Sequence, residues 1–222
     1  MRSWAMGGSV FFLVLLAGGS AVAQEVDLTA LVHETQKLSA QSGTMTMAWW
    51  IPEQFWTANF RQQSLPVAQV EEFLRVVRPY TIVAVCDGTV GPRGEISYHS
   101  QDVIRTNLQL IDARGKSYLP RTEDEFGGEI KNLLAMMKPI LTGMLGPMGQ
   151  NLHFFLFPAT TAGRLPVADA AAMGHFQVRL GEREFAWRLP LDAVLPGQVC
   201  PDCHEPCKGS WNYCPWCGTK LA

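Results

Sequence analysis

The stretch HFQVRLGEREFAWRLPL, from His175 to Leu191, alternates apolar and polar residues on both sides of Gly181-Glu182-Arg183. Phe176, Val178 and Leu180 fall on one arm and Phe185, Trp187 and Leu189 on the other, so each arm carries one apolar face at the two-residue period of a strand. A glycine-led turn between two such arms specifies a β-hairpin, which is antiparallel by construction. A chain that closes on a hairpin of this kind needs a layer to cover the apolar face.

The residues before the hairpin supply candidates for that layer. Strands are expected at Thr44–Ile51, Tyr80–Cys86, Glu95–His99, Leu108–Asp112 and Leu152–Phe157, with Ala113–Lys116 as a turn and Asp87–Gly94 as a glycine-rich loop. Helices are expected where the apolar period is near 3.6. Asp27 caps one whose face runs Leu28, Leu31, Val32, Thr35 and Leu38; Pro52 opens a short one through Phe60; Pro66–Val77 forms a third. Gly128–Leu145 is the longest, with Pro139 ending or kinking it. The spacing lacks a regular βαβ alternation, which predicts an α+β fold: a mixed or antiparallel sheet with flanking helices. A helix-decorated β-sandwich is the alternative.

The last 23 residues have a different character. Cys200-Pro201-Asp202-Cys203 and Cys214-Pro215-Trp216-Cys217-Gly218 are two CxxC turns separated by ten residues. A CxxC turn aims two thiolates of one short segment at one ion, and two turns complete a tetrahedral shell. The interval His204–Tyr213 is long enough for a strand out and back, reversing at Gly209-Ser210, and Gly218 suits a knuckle with positive φ. Cys207 and His204 are further candidate ligands. A disulfide cluster and a CxxC redox centre are the competing chemistries, although no βαβ pattern surrounds the latter.

The string YCPWCGTKL, Tyr213–Leu221, resembles the second half of the small zinc ribbons appended to many prokaryotic proteins. The resemblance covers residues 200–221 alone. It implies a structural Zn2+ held by Cys200, Cys203, Cys214 and Cys217. His204 stands where the first knuckle of such ribbons often has glycine. The larger body is not recognised, and its ligand or substrate is not legible.

At the other end, Arg2, the apolar run Val10–Ala17 and Ala21-Val22-Ala23 form the three regions of a secretory signal, with cleavage before Gln24. The expected organisation is a signal peptide at 1–23, a body at 24–198 and a ribbon at 199–222, linked through Leu191–Gln198. The expected location is exported, periplasmic or secreted. No later run reaches the roughly 18 apolar residues of a membrane span. Loss of Arg2 takes the formal charge from -2 to -3. A mildly acidic chain offers no basic field for nucleic acid, and a protein partner fits it better.

Candidate chemistry in the body is sparse. Trp49, Trp50, Phe55 and Trp56 read as core at a strand-to-helix corner, with an exposed aromatic platform as the alternative. His99, Ser100 and Asp102 are triad residue types, but adjacency is not triad geometry, and no GxSxG or HExxH is present. Cys86 reads as a buried small hydrophobe, and His153 and His175 as structural. The preferred expectation is an exported, non-catalytic binding or structural protein whose body meets a protein or envelope component. An extracytoplasmic hydrolase built around Asp87, His99 and Asp102 is the alternative, and a nucleic-acid-binding ribbon the third.

Overall fold

The computed structural model describes residues 26–41 and 43–221, so the expected signal peptide at 1–23 lies outside the described residues. Helix α1 (Leu28–Thr35) starts at Asp27, whose carboxylate accepts from the amides of Thr29 and Ala30 at 2.9 and 3.2 Å. The helix stops at Thr35. Gln36–Ser39 is instead strand β1, hydrogen-bonded to the strand that follows, and Leu38 is 69% exposed rather than on an apolar helix face. Ladder bonds to a long neighbour outweigh one more helical turn.

The chain continues through β2 (Thr44–Ile51), α2 (Glu53–Gln62), α3 (Val67–Val77), β3 (Tyr80–Val90), β4 (Ile96–Tyr98), α4 (Gln101–Asn107), β5 (Leu108–Ile111) and β6 (Ser117–Tyr118). Then come α5 (Gly128–Leu145), α6 (Pro147–Gln150), β7 (His153–Pro158), β8 (Gly174–Leu180) and β9 (Arg183–Leu189). The tail adds β10 (Gln198–Val199) and β11 (Pro206–Cys207). Two expectations are corrected. Asp87–Val90 is not a loop, because β3 runs on and pairs Asp87 with Thr46 and Thr89 with Thr44. Pro139 does not end α5, whose Ile130, Leu133, Met137 and Leu141 carry one helical face into the core; one missing N–H does not outweigh that burial.

Every pairing is antiparallel, and the fold is α+β. One sheet runs β1-β2-β3, and the far edge of β3 is shared by β7 along Tyr80–Val85 and β4 along Gly88–Val90. The second sheet runs β6-β5-β8-β9, and its β8–β9 hairpin buries Phe176, Val178, Leu180, Phe185, Trp187 and Leu189 as the alternation requires. The two sheets share one apolar core.

Adjacent tryptophans on β2 show how the layers meet. Trp50 packs edge-on to Phe176 at 4.8 Å and to Trp187 at 6.5 Å, in the second sheet. Trp49 faces the other way, against Phe55 of α2 at 5.2 Å. The first sheet is therefore covered on both faces, which is why β2 reads as an unbroken apolar run. Trp49, Trp50, Phe55 and Trp56 are all buried, so the aromatic platform is not formed. Thr35 ties these layers together: its hydroxyl accepts from Trp49 Nε1 at 3.1 Å and its carbonyl from Trp187 Nε1 at 3.0 Å.

Candidate metal centre

The two CxxC turns of the tail fold alike. In the first, the His204 amide donates to the Cys200 carbonyl at 3.1 Å and the Cys200 amide to the Glu205 carbonyl at 3.0 Å. In the second, Gly218 donates to Cys214 at 2.9 Å and Cys214 to Thr219 at 2.8 Å. Both turns end on a left-handed residue, Gly218 at φ 77° and His204 at φ 59°. The first knuckle thus keeps its geometry without the glycine, at the conformational cost a Cβ imposes there.

This arrangement brings the four expected ligands together. The sulfurs of Cys200, Cys203, Cys214 and Cys217 all lie within 4.8 Å of one another. Cys200 Sγ is 3.5 Å from Cys217 Sγ, and Cys203 Sγ is 3.5 Å from Cys214 Sγ. A disulfide needs about 2.05 Å. Four sulfurs about 2.3 Å from a central ion stand roughly 3.8 Å apart, so the spacing suits a tetrahedral thiolate site for one cation.

The electrostatics point the same way. Hydrogen bonds from the Thr219 side chain and amide draw the Cys217 thiol down to about 6. Burial opposes ionisation of Cys214, yet the amides of Cys217 and Trp216 outweigh it and lower its pKa. At Cys203 the Glu205 amide favours the thiolate, but burial and the three neighbouring sulfurs push the thiol up to about 12. Four thiolates this close repel one another, and a cation among them removes the penalty. His204 and Cys207 stand outside the four-sulfur group; Cys207 is buried in β11 with its thiol 3.5 Å from the Glu205 carbonyl.

The expected strand pair within His204–Tyr213 is not formed. β10 and β11 instead bracket the first knuckle, Gln198 opposite Cys207 and Val199 opposite Pro206. The interval that follows packs against the linker. The reversal expected at Gly209-Ser210 is formed, the Trp211 amide donating to the Lys208 carbonyl at 3.1 Å, and a Cβ on Gly209 would fall 2.4 Å from the Pro196 carbonyl oxygen and 2.6 Å from Leu195 Cβ, so close approach to the linker also requires that glycine. Gln198 Nε2 donates to the carbonyls of Lys208 at 3.0 Å and Trp211 at 2.7 Å. Asp192 accepts from Lys208 Nζ at 3.0 Å and from the Ser210 hydroxyl, and Glu34 of α1 accepts from the Ala193 amide at 3.1 Å. A chain of polar contacts therefore runs from α1 through the linker to the tail.

In the body, the structure joins two of the three residues of the hydrolase alternative. His99 Nδ1 lies 2.7 Å from Asp87 Oδ2, but no hydrogen bond links Ser100 or Asp102 to His99. Asp102 sits exposed on α4. Asp87 is also held by the Thr46 hydroxyl at 2.6 Å and by two Arg183 nitrogens at 2.5 and 3.1 Å. Burial works against ionised Asp87, but the bonds from Arg183, Thr46 and His99 prevail and keep its pKa below the ordinary value. Arg183 was missed as part of this cluster, since locally it is only a polar residue at a hairpin turn. Nearby, burial and the Lys138 charge hold His153 below the usual imidazole range. Cys86 is fully buried, and its thiol is pushed up to about 11 by burial and by Asp87.

No helix of the described residues is long and apolar enough to cross a membrane. No family model, curated protein or solved structure matches this chain.

Proposed function

We propose that this is an exported, non-catalytic binding or structural protein whose C-terminal tail is a structural zinc ribbon and whose body contacts a protein or envelope component. The observation that carries the reading is the group of four cysteine sulfurs within 4.8 Å. Four thiolates fill the coordination sphere of zinc and leave no position for substrate, so the metal staples the tail rather than performing chemistry. A tail of this size buries little apolar surface, and metal binding supplies its folding free energy. Export is supported by the signal pattern at residues 1–23, and periplasmic or secreted location follows from it. Purified from an exporting host, the chain should begin at Gln24 and hold about one zinc. Metal-free protein with its tail cysteines in disulfides, or a retained residue 1–23 segment, sinks the corresponding half of the reading.

The 2.7 Å contact between His99 and Asp87 favours one second reading, an extracytoplasmic hydrolase in which Asp87 orients His99 as a general base. Its test is hydrolysis of ester, peptide and phosphoester substrates by the purified chain. Activity lost in His99→Gln with an unchanged melting temperature supports it, and no turnover of any class sinks it.

A further inference from the structure

The second sheet ends on an edge that its own bonding leaves open. In the order β6-β5-β8-β9, β9 has β8 as its one neighbour among the described residues. The two-residue turn Gly181-Glu182 joins them and sets Leu180 opposite Arg183. On the far side of β8, the Gly181 amide donates to the Asn107 carbonyl at 3.0 Å, so the odd-numbered residues of β8 bond toward β5 and the even-numbered ones toward β9. Their partners on β9 are Arg183, Phe185, Trp187 and Leu189. Bonding direction alternates along an antiparallel strand, so the amides and carbonyls of Glu184, Ala186 and Arg188 point away from β8. No hydrogen bond among the described residues uses them.

An open edge is a template for a further strand, and proteins commonly blunt it with charge. Here the charges are placed symmetrically. Glu184 and Arg188 lie on either side of Ala186, and all three side chains are exposed on the solvent face of the sheet. Arg179 takes Glu184 Oε1 at 2.8 and 3.1 Å across the hairpin, which leaves Oε2 without a partner among the described residues. Arg188 makes no ion pair among them. A second β9 laid antiparallel about a two-fold axis through Ala186 brings Glu184 opposite Arg188 at both ends and Ala186 opposite itself. The three residues that meet are the three whose amides and carbonyls face outward, so hydrogen-bond phase and charge agree on one register. A slip of one residue breaks that phase. The small alanine side chain at the centre lets the two strands approach.

We infer that two copies of this chain associate through β9 in this antiparallel register, joining their four-stranded sheets into one continuous sheet. The same patch serves both copies, so the contact closes on itself as a dimer and does not propagate as a fibre. The occupant is a second copy because the edge is its own complement in charge. The dimer depends on neither the zinc tail nor the His99–Asp87 pair, and it stands or falls apart from both readings above.

The test uses the mature, metal-loaded chain. Sedimentation velocity should show a monomer that becomes a dimer as concentration rises. In the dimer the amides of Glu184, Ala186 and Arg188 should exchange with solvent roughly tenfold or more slowly than in dilute monomer, while those of Phe185 and Trp187, already bonded to β8, change little. Arg188→Glu sets carboxylate against carboxylate at both ends, and Glu184→Arg sets guanidinium against guanidinium, so each variant alone should stay monomeric. Mixed together they should form a dimer, because every facing pair is again of opposite sign. Arg179 loses its ion pair in Glu184→Arg, and mixing cannot return that contact, so rescue reports the interface alone. A wild-type chain that is monomeric at its highest soluble concentration overturns the inference. A dimer whose Glu184, Ala186 and Arg188 amides exchange as fast as in the monomer overturns it too, as do variants that associate no better mixed than apart.

Discussion

Arg183, the first residue of β9, grips Asp87 of β3 with two nitrogens at 2.5 and 3.1 Å, and so pins the second sheet to the first at a point 96 residues distant in sequence. Asp87 is almost fully buried and Arg183 largely so. Removing one partner of such a pair leaves the other charge uncompensated in the interior. Arg183→Met should therefore lower stability by about 3–5 kcal/mol in urea unfolding. A loss below about 1 kcal/mol would show the pair to be screened like a surface bridge.

The same carboxylate gives the body an acid limit. Asp87 ionises more readily in the native state than its ordinary value of 3.8, so the unfolded chain binds its proton first as pH falls from neutrality. Its stabilising contribution is complete above pH 3.8 and disappears as pH drops through the lower native value. Asp87→Asn should flatten the fall of melting temperature below about pH 4 while lowering it at pH 7. An acid limb of unchanged steepness in the variant would assign that limb to other carboxylates.

His204 tests the symmetry of the two knuckles. It holds φ 59° where Gly218 holds 77°, and a left-handed residue with a Cβ costs roughly 1–2 kcal/mol. Part of that is returned because glycine loses more entropy on folding, so His204→Gly should stabilise the tail by about 1 kcal/mol. Competition with a chelator measures this as slower and weaker metal release. Faster release would mean that the imidazole contributes to the site.

Cys207 and Cys214 should separate in a metal assay. Cys214 belongs to the four-sulfur group and Cys207 does not. Cys207→Ala should keep its metal, and Cys214→Ser should lose it and unfold residues 198–221 in hydrogen exchange, leaving the β8–β9 hairpin protected. Equal exposure of tail and hairpin in Cys214→Ser would make them one cooperative unit, joined through Asp192, Lys208 and Ser210.

Trp50 is 2% exposed and is clasped by Phe176 and Trp187. Trp50→Ala should cost about 3–5 kcal/mol, because the rigid sheets on either side cannot collapse into the space left. Loss of less than about 2 kcal/mol would mean that the two sheets close together when the ring is removed.

Local periodicity and spacing were enough for several features. The alternation from Phe176 to Leu189 is a property of consecutive residues, and it fixed the hairpin before any partner was known. The CxxC spacing likewise placed two thiols per turn, since each knuckle closes through bonds between residues four or five apart. The composition of β2 said that it would be buried, but not that Trp49 and Trp50 would serve different layers.

Tertiary structure decided what depends on register between distant strands. Thr46 and Asp87 meet because β2 and β3 align them, and Arg183 joins them only because the second sheet packs on that face. Gln36–Ser39 became a strand because β2 offered an edge, and Asp87–Val90 because β2 and β4 paired with it despite Gly88 within it and Gly91 directly after it. A sequence encodes the period of each element, which is local, while ion pairs and cavities arise from distances across the core, which no single segment contains.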